Sequence, residues 1–399
     1  MLDIWPELPI YIRDPRYPTK ESIDNVIVAL RLNHRVSGID FENTSDSAWK
    51  EFVPLIQQPL PGLTLLRIQP CVSANIVIPR SFLGGSAPSL RDLLLLGVPF
   101  PALPELLLSA TNLICLRYNP IPRSGYISPQ AMITGLSALT RLESLSLIFT
   151  PPQSLPDRAV EIPPPHTRTL LPALTHFCIC GAPEYVEDLV TQINAPLLEN
   201  MEVALFNREI LEVSELAKFV RHVDKLSLLD RAEVSFNSER ISVFLSQESP
   251  TNVDPKTLKL HLNCLESNLR LSYLAQFCAS CLPTLSQFES LHIRVPLYYG
   301  WEDVIDNPDP QWLELLCLFN IVKKLYLSRN VAPRVAQVLR ALPVERVIEV
   351  LPALENVFIA SLEPSGPVRE AVSEFADARQ LSGHPVFIDN WEEGVYYWG

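Results

Sequence analysis

One short pattern of apolar positions recurs along the chain: apolar, two variable residues, apolar, one variable residue, apolar. Clear copies begin at Leu63, Leu90, Leu113, Leu142, Leu174, Leu198, Phe288, Val322 and Leu354. Weaker copies begin at Val36, Val223 and Pro255. About twelve copies result, roughly 23 to 34 residues apart, at and above the period of leucine-rich repeats. Each copy predicts a short strand whose first, fourth and sixth positions are buried.

The segments between these strands carry apolar residues at helical spacing, which predicts a helix after many of the strands. Examples are SPQAMITGLSALTRL, PEYVEDLVTQI, VSELAKFVRHV, QWLELLCLFNIV and APRVAQVLRAL. A single strand–helix unit cannot bury its own apolar face, so neighbouring units must stack and share a core. We therefore predict an α/β fold, a leucine-rich-repeat solenoid with parallel strands on the concave face and helices outside.

The pattern also predicts the domain organisation. Residues 1–35 form an N-terminal capping segment, residues 36–360 form the solenoid, and residues 361–399 form a C-terminal cap containing a helix over 366–380 and a closing strand at HPVFI. Residues 150–172 are rich in proline, which predicts an exposed loop. The turn position that usually holds Asn or Cys in such repeats is mostly occupied by other residues, which predicts uneven repeats.

Composition and charge narrow the function classes. The chain has 63 leucines, 13 glycines and a net charge of -13, which excludes a disordered chain and argues against binding to nucleic acid or an anionic membrane. It contains no GxSxG, Walker, GxGxxG or HExxH motif. We expect no enzyme activity, no cofactor, and a soluble protein of the cytoplasm or nucleus, because a signal peptide and a long apolar run are both missing from the sequence.

Two groups of cysteines raise the question of metal binding. Cys278 and Cys281 have C-x-x-C spacing but lie in a helix-like stretch, which favours buried thiols. His176, Cys178 and Cys180 alternate and so share one face of a strand. They are the candidate metal ligands, but tetrahedral zinc needs a fourth ligand that the adjacent strands do not offer. A polar strand surface is the interpretation that we favour, with no metal bound.

The strand register predicts which residues face outward from the sheet. In the late repeats they are Lys225, Lys259, His261, His292, Arg294, Lys324 and Tyr326. None of these positions is acidic, although the chain is acidic overall. Our hypothesis is that this stripe binds a protein partner that is acidic or phosphorylated. The alternative is that these side chains are ordinary solvation of an open sheet face.

Three long segments resemble a known family. They are SFLGGSAPSLRDLLLLGVPFPALPELLLSATNL (Ser81–Leu113), SGYISPQAMITGLSALTRLESLSL (Ser124–Leu147) and LPALENVFIASLEPSGPVREAVSEFADARQLSGHPV (Leu351–Val386). They are similar to the mushroom-type family of fungal F-box proteins with divergent leucine-rich repeats. The resemblance implies a substrate receptor of a cullin–RING ubiquitin ligase, in which an N-terminal F-box docks on a Skp-type adaptor and the repeats select the protein substrate.

The N-terminus departs from that family pattern. DIWPELPIYIR resembles the segment that follows an F-box, and no three-helix F-box precedes it. The Skp-type adaptor is therefore an expected partner only if an F-box lies upstream of this sequence. The alternative is a ligase-independent scaffold or decoy that lacks adaptor binding, and the third possibility is an enzyme of unknown type.

Overall fold

The structure is a computed structural model. It describes residues 8–13, 19–72, 74–150, 168–206, 213–223, 225–226, 229–236, 240–247, 256–263, 270–281, 288–295 and 311–392. The chain divides into two units, Met1–Glu199 and Asn200–Gly399. The predicted proline-rich loop lies mostly outside the described residues. None of the helices in the described part combines the length and the apolar character needed to span a bilayer.

The first unit alternates strands and helices. Its strands are β1 Ile10–Arg13, β2 Val36–Thr44, β3 Leu65–Pro70, β4 Asp92–Leu95, β5 Cys115–Ile121, β6 Ser144–Phe149, β7 Thr169–Leu170, β8 His176–Gly181 and β9 Ile193–Asn194. Its α-helices are α1 Lys20–Arg31, α2 Asp46–Ile56, α3 Leu103–Leu107, α4 Pro129–Leu136 and α5 Pro183–Thr191. A short 3-10 helix, Phe82–Gly85, takes the place of an α-helix between β3 and β4.

The strands of the first unit lie side by side in the order of the sequence. β1 to β6 and then β8 pair in parallel, and β7 pairs with β9 in a separate parallel ladder. Several neighbouring helices also contact each other: α1 contacts α2, and α4 contacts both α3 and α5. This first unit is therefore α/β with parallel strands, as the repeated pattern predicts.

Burial explains why this sequence forms that sheet. Leu63, Leu66 and Ile68 are almost fully buried, and the corresponding three positions of the other clear copies are buried too. Each such side chain contributes about 1.5–3 kcal/mol when it leaves water. Most of the residues between them are half-buried or exposed, so the sheet has a packed face and an open face. Ser45 and Ser128 cap α2 and α4 through their hydroxyl oxygens, which fixes where those helices begin.

The second unit contains the remaining elements. Its strands are β10 Asn200–Phe206, β11 Arg231–Phe236, β12 Arg240–Ser246, β13 Thr257–Asn263, β14 Ser290–Arg294, β15 Lys324–Leu327, β16 Asn356–Ala360 and β17 Phe387–Trp391. Its helices are α6 Ser214–Arg221, α7 Arg270–Cys281, α8 Gln311–Leu316, α9 Ala332–Arg340 and α10 Pro367–Leu381. The terminal helix and closing strand predicted after residue 366 correspond to α10 and β17.

The sheet of the second unit departs from a purely parallel stack. The strand order is β10-β13-β12-β11-β14-β15-β16-β17. β11 and β12 form an antiparallel pair, and β12 is also antiparallel to β13. The other pairs in this unit for which partners are described are parallel. The prediction of parallel strands throughout is therefore wrong for this hairpin.

The sequence around the hairpin explains the departure. Ala232, Val234 and Phe236 are buried on β11, and every second residue of β12 from Ile241 to Leu245 is buried as well. Strict alternation over two adjacent runs is typical of two strands that share a face.

The strand predicted for the repeat at Val223 is also wrong where the structure describes it, because Lys225 and Leu226 lie in a 3-10 turn. The Leu226 amide donates to the Val223 carbonyl, 3.0 Å away, and closes this turn.

One buried cation fixes α10 against the rest of the second unit. Arg379 is fully buried, and its guanidinium donates to six backbone carbonyls at 3.1 to 3.4 Å. The acceptors are Val347, Val350, Leu351, Pro352, Leu354 and His384. Burial lowers the pKa of this guanidinium, and the carbonyl dipoles compensate the charge.

Candidate functional site

The open face of the second unit carries most of the outward-facing residues predicted from the register. Adjacent strands bring their residues into rows that cross the sheet. The first row is Asn200, Thr257, Ser246, Arg231, Ser290, Lys324, Asn356 and Phe387. The second row is Glu202, Lys259, Phe244, Glu233, His292, Tyr326, Phe358 and Asp389. His261 and Arg294 lie two residues beyond the second row on their strands, on the same face of the sheet.

The structure thus unites six of the seven predicted residues and excludes Lys225. Lys225 lies in the turn after α6 and belongs to neither row, because Lys225 and Leu226 form a 3-10 turn where a strand was predicted. The predicted positions contain no acidic residue, but the structure places acidic residues beside them. Glu202 faces Lys259 across β10 and β13, and Glu233 enters the second row through the unpredicted hairpin.

Glu233 lies at the centre of an ionic cluster. The residue is 4% exposed, and its carboxylate lies 3.3 Å from the guanidinium of Arg231 and 3.5 Å from that of Arg294. Two guanidiniums therefore share one carboxylate in a mostly buried position. Burial makes such pairs much less sensitive to solvent screening than surface pairs. Sequence reasoning missed Arg231 and Glu233 because it placed no strand at these residues.

Aromatic rings stack along the second row. His292 and Tyr326 are parallel, with ring centres 4.1 Å apart, and Phe358 continues the stack 4.6 Å from Tyr326. Trp391 from β17 packs edge-on against His292 and Tyr326. Its ring also receives the guanidinium of Arg294, 5.1 Å from the ring centre. The result is a half-buried aromatic surface next to the ionic cluster.

Both histidines of the stripe are uncharged at neutral pH. Burial, with Arg231 and Arg294 nearby, lowers the pKa of His292 to about 3. Burial, with Arg240 and Lys259 nearby, lowers the pKa of His261 to about 4. Desolvation and neighbouring cations both disfavour the imidazolium form. The positive charge of the face therefore comes from its lysines and arginines alone.

His261 also belongs to a hydroxyl–imidazole–carboxylate arrangement. Its Nδ1 shares a hydrogen bond with the Ser242 hydroxyl at 2.8 Å, and its Nε2 lies 3.6 Å from the Glu202 carboxylate. A catalytic base of this kind must take a proton from the hydroxyl. The lowered pKa of His261 opposes that transfer. We therefore interpret the arrangement as a polar contact among β10, β12 and β13, and not as a catalytic group.

Among the described cations of the face, Lys324 and Arg240 are exposed, and Lys259 and Arg231 are half-buried. The ammonium of Lys259 lies 5.9 Å from the ring centre of Phe244. Arg294 is only 8% exposed and acts mainly inside the cluster. A ligand approaching this face would first meet Lys324, Arg240, Lys259 and the accessible parts of the aromatic rings.

The candidate metal ligands of the first unit lie on β8. His176 is exposed, and its Nδ1 shares a hydrogen bond with the Thr175 hydroxyl at 2.8 Å. Cys178 and Cys180 follow on the same face, but alternate residues of a strand are roughly 7 Å apart. In the described part of the chain, no group of three His, Cys, Asp or Glu side chains is placed to hold a metal ion. The metal interpretation of these three residues is therefore not supported.

Cys278 of the C-x-x-C pair is buried within α7, and burial raises its pKa to about 12. A thiol with this pKa stays protonated at neutral pH and is a poor metal ligand and nucleophile. This agrees with the prediction of a buried thiol. The side chain of Cys281 lies outside the described residues.

No protein-family model matches the chain, and no curated protein matches it.

Proposed function

We propose that this chain is a protein-binding module of the leucine-rich-repeat type, and that the open face of the second unit is its docking surface. The observation that carries the proposal is the contrast between the two faces of that sheet. One face is packed with repeated apolar residues, whereas the other presents Lys259, Lys324, Tyr326 and Phe358 in half-buried or exposed positions. Accessible aromatic side chains are enriched at protein interfaces, and the lysines beside them add charge that can attract an acidic partner.

The parallel order of strands in the first unit supports a solenoid built from repeated units. In that unit each strand of the main sheet pairs with the next one, and contacts join α1 with α2, α3 with α4 and α4 with α5. Such an arrangement leaves one long sheet face free of helices. The hairpin of β11 and β12 is an insertion in the repeat pattern of the second unit.

We further propose that the module selects substrates for a cullin–RING ubiquitin ligase. The resemblance of Ser81–Leu113, Ser124–Leu147 and Leu351–Val386 to F-box proteins with divergent repeats is what supports this role. The second candidate is a scaffold or decoy that binds the same partners without the ligase. An in-frame F-box encoded upstream of Met1 would favour the ligase role, and binding of that longer chain to a Skp-type adaptor tests it. A longer chain that does not bind the adaptor would favour the scaffold.

Charge reversal on the docking surface tests the binding function. We expect Lys259→Glu with Lys324→Glu to abolish capture of the partner proteins. Thermal unfolding checks the fold, and Lys324→Glu alone keeps the test decisive, because a glutamate at position 259 would lie opposite Glu202. The matched control is Lys50→Glu with Arg31→Glu, which makes the same charge change on helices of the first unit. Arg294 is unsuitable for reversal, because a glutamate there would face Glu233 in a buried position. Equal loss of binding in the control pair would contradict the assignment of the face.

A further inference from the structure

A small pocket lies in the second unit, where the chain leaves β15 and β16 and enters α9 and α10. Its volume is about 210 Å³, below the roughly 300–1,000 Å³ that is usual for small-molecule sites. Most of its lining residues are apolar, among them Ile359, Leu362 and Val368. The pocket therefore suits one apolar side chain rather than an extended ligand.

Two arginines line the same pocket. Arg329 follows β15 and is exposed, and Arg369 lies in the first turn of α10 and is half-buried. Neither side chain forms an ion pair or a hydrogen bond with another residue in the part of the chain that the structure describes. Both guanidiniums can therefore donate to an anionic ligand that lies beside the apolar lining.

The first turn of α10 adds donors from the backbone. Gly366 is the N-cap residue and has no side chain that could cap the helix, and Pro367 has no N–H group. Among the described residues, no acceptor pairs with the N–H of Val368 or Arg369. N–H groups at the start of a helix attract negative charge. They add to the attraction that the two arginines exert on an anion in this pocket.

The other charges around the pocket favour a ligand with a single negative charge. Glu363 lines the pocket as well, and its carboxylate would oppose a phosphate monoester, which carries about two negative charges. Glu370 is exposed and is not one of the lining residues. Two guanidiniums against one carboxylate still attract a monoanion. A carboxylate attached to a short apolar group matches both the charges and the apolar lining.

An apolar residue at the carboxyl terminus of a polypeptide has this chemistry. Its α-carboxylate and its side chain branch from the same carbon atom, so both fit within one small pocket. An internal aspartate or glutamate provides the carboxylate without the apolar side chain. Arg329, Ser361 and Glu363 are exposed, so the pocket opens to solvent and the rest of a bound chain can continue outward. Backbone N–H groups capture terminal carboxylates in other peptide complexes.

We propose that this pocket binds the carboxyl-terminal residue of a partner protein when that residue is apolar. Arg329 and Arg369 hold the α-carboxylate. The side chain packs against Ile359, Leu362 and Val368. None of the four side chains named for the docking surface lines this pocket, so the inference goes beyond the proposed function and has a test of its own.

The test passes two libraries of short peptides over the full chain. Both end in leucine after degenerate positions, but one has a free carboxyl terminus and the other a terminal amide. We expect the free-acid library to be retained about tenfold better, because hydrogen bonds to a charged group are the stronger ones. Arg369→Gln should remove most of that preference, and so should Arg329→Gln. A library that ends in glycine with a free carboxylate should be retained less well than the leucine library.

Val368→Asp places a competing carboxylate in the pocket and should abolish the preference for the free acid. An aspartate in the first turn of a helix is favourable for folding, so this variant should stay folded. Arg340→Gln is the matched control, because it removes one arginine charge from α9 outside the pocket, and we expect it to leave the preference unchanged. Thermal unfolding checks every variant, and the exposed Arg329 keeps the test decisive if Arg369→Gln unfolds.

The other outcomes overturn the proposal. Equal retention of the acid and amide libraries would do so, and so would no retention of the free-acid library. If free leucine displaced the peptides at the concentration at which a leucine-ended peptide does, the pocket would be a site for a free amino acid instead. Loss of the preference in Lys324→Glu but not in Arg369→Gln would place the carboxylate on the open face. Capture of partner proteins by the Lys259→Glu with Lys324→Glu variant decides the docking function separately.

Discussion

The guanidinium of Arg294 lies 5.1 Å from the centre of the Trp391 ring. Trp391 ends β17, yet its indole reaches over β16 and β15 and donates a hydrogen bond to the Leu327 carbonyl at 3.1 Å. It also packs edge-on against His292 and Tyr326. One side chain from the C-terminal strand therefore ties together three strands of the proposed docking surface.

Replacing this ring should weaken the second unit. We expect Trp391→Ala to lower the free energy of unfolding by about 2 kcal/mol, because it removes the cation–π contact, the ring packing and the hydrogen bond together. Chemical denaturation measures the change. Phe387→Ala is the control, since this residue lies on the same strand but is 70% exposed, and its effect should stay within about 0.5 kcal/mol. Equal effects of the two substitutions would contradict the bridging role of Trp391.

Arg379 should be more important for stability than any exposed arginine. We expect Arg379→Lys to cost more than about 3 kcal/mol, because an ammonium cannot reach six carbonyls and leaves several buried acceptors unpaired. Arg340→Lys provides the comparison. Arg340 is half-exposed and pairs with Glu374 at 2.8 Å, so its replacement should cost less than about 1 kcal/mol. Urea unfolding of both variants gives the two values. A cost below about 1 kcal/mol for Arg379→Lys would show that the carbonyl contacts are dispensable.

The repeated apolar triplets allowed most of the strands to be predicted, because each triplet fills the same packed position in successive units. Leu325 and Leu145, for example, were assigned to the core and are almost fully buried. The hairpin was missed because residues 231–246 alternate with a period of two, which a search for triplets does not detect. Arg379 was missed because arginine is usually exposed. Its spacing from Val372 and Phe375 nevertheless places it on the buried stripe of α10.

Tyr11 and Gly38 provide a test of packing in the first unit. A Cβ atom at Gly38 would overlap the ring of Tyr11. We expect Gly38→Ala to destabilise the protein by about 1 kcal/mol, because the ring must move. In a Tyr11→Ala background the same substitution should be close to neutral. A double-mutant cycle by thermal unfolding gives the interaction energy. If Gly38→Ala had the same cost in both backgrounds, the backbone and not the ring would set the requirement for glycine.

The candidate site was only partly predictable from the sequence. Register placed Lys259, His292 and Lys324 on one face, because alternate residues of a strand share a side. The charge state of the histidines, however, depends on burial and on cations from neighbouring strands. The sharing of Glu233 between Arg231 and Arg294 depends on a hairpin whose strands run against the others. These features arise from contacts between distant segments, which a local pattern does not contain.

Protonation of His292 should make the second unit less stable in mild acid. Its pKa is lowered to about 3 in the folded chain, whereas an unfolded histidine has a pKa of about 6.5. The unfolded state therefore binds the proton more readily between these values, and the stability present at neutral pH is lost as the pH falls below about 6.5. The contribution of this residue between pH 7 and pH 5 is about 2 kcal/mol.

The substitution His292→Phe isolates that contribution, because phenylalanine can stack on Tyr326 and does not titrate. The difference between the two proteins at pH 8, where the imidazole is neutral in both states, measures the packing change alone. Relative to that difference, we expect the variant to retain about 2 kcal/mol more stability than the natural protein at pH 5. Urea unfolding at the two pH values supplies the comparison. Parallel pH dependence in both proteins would show that His292 is not held neutral by Arg231, Arg294 and its burial.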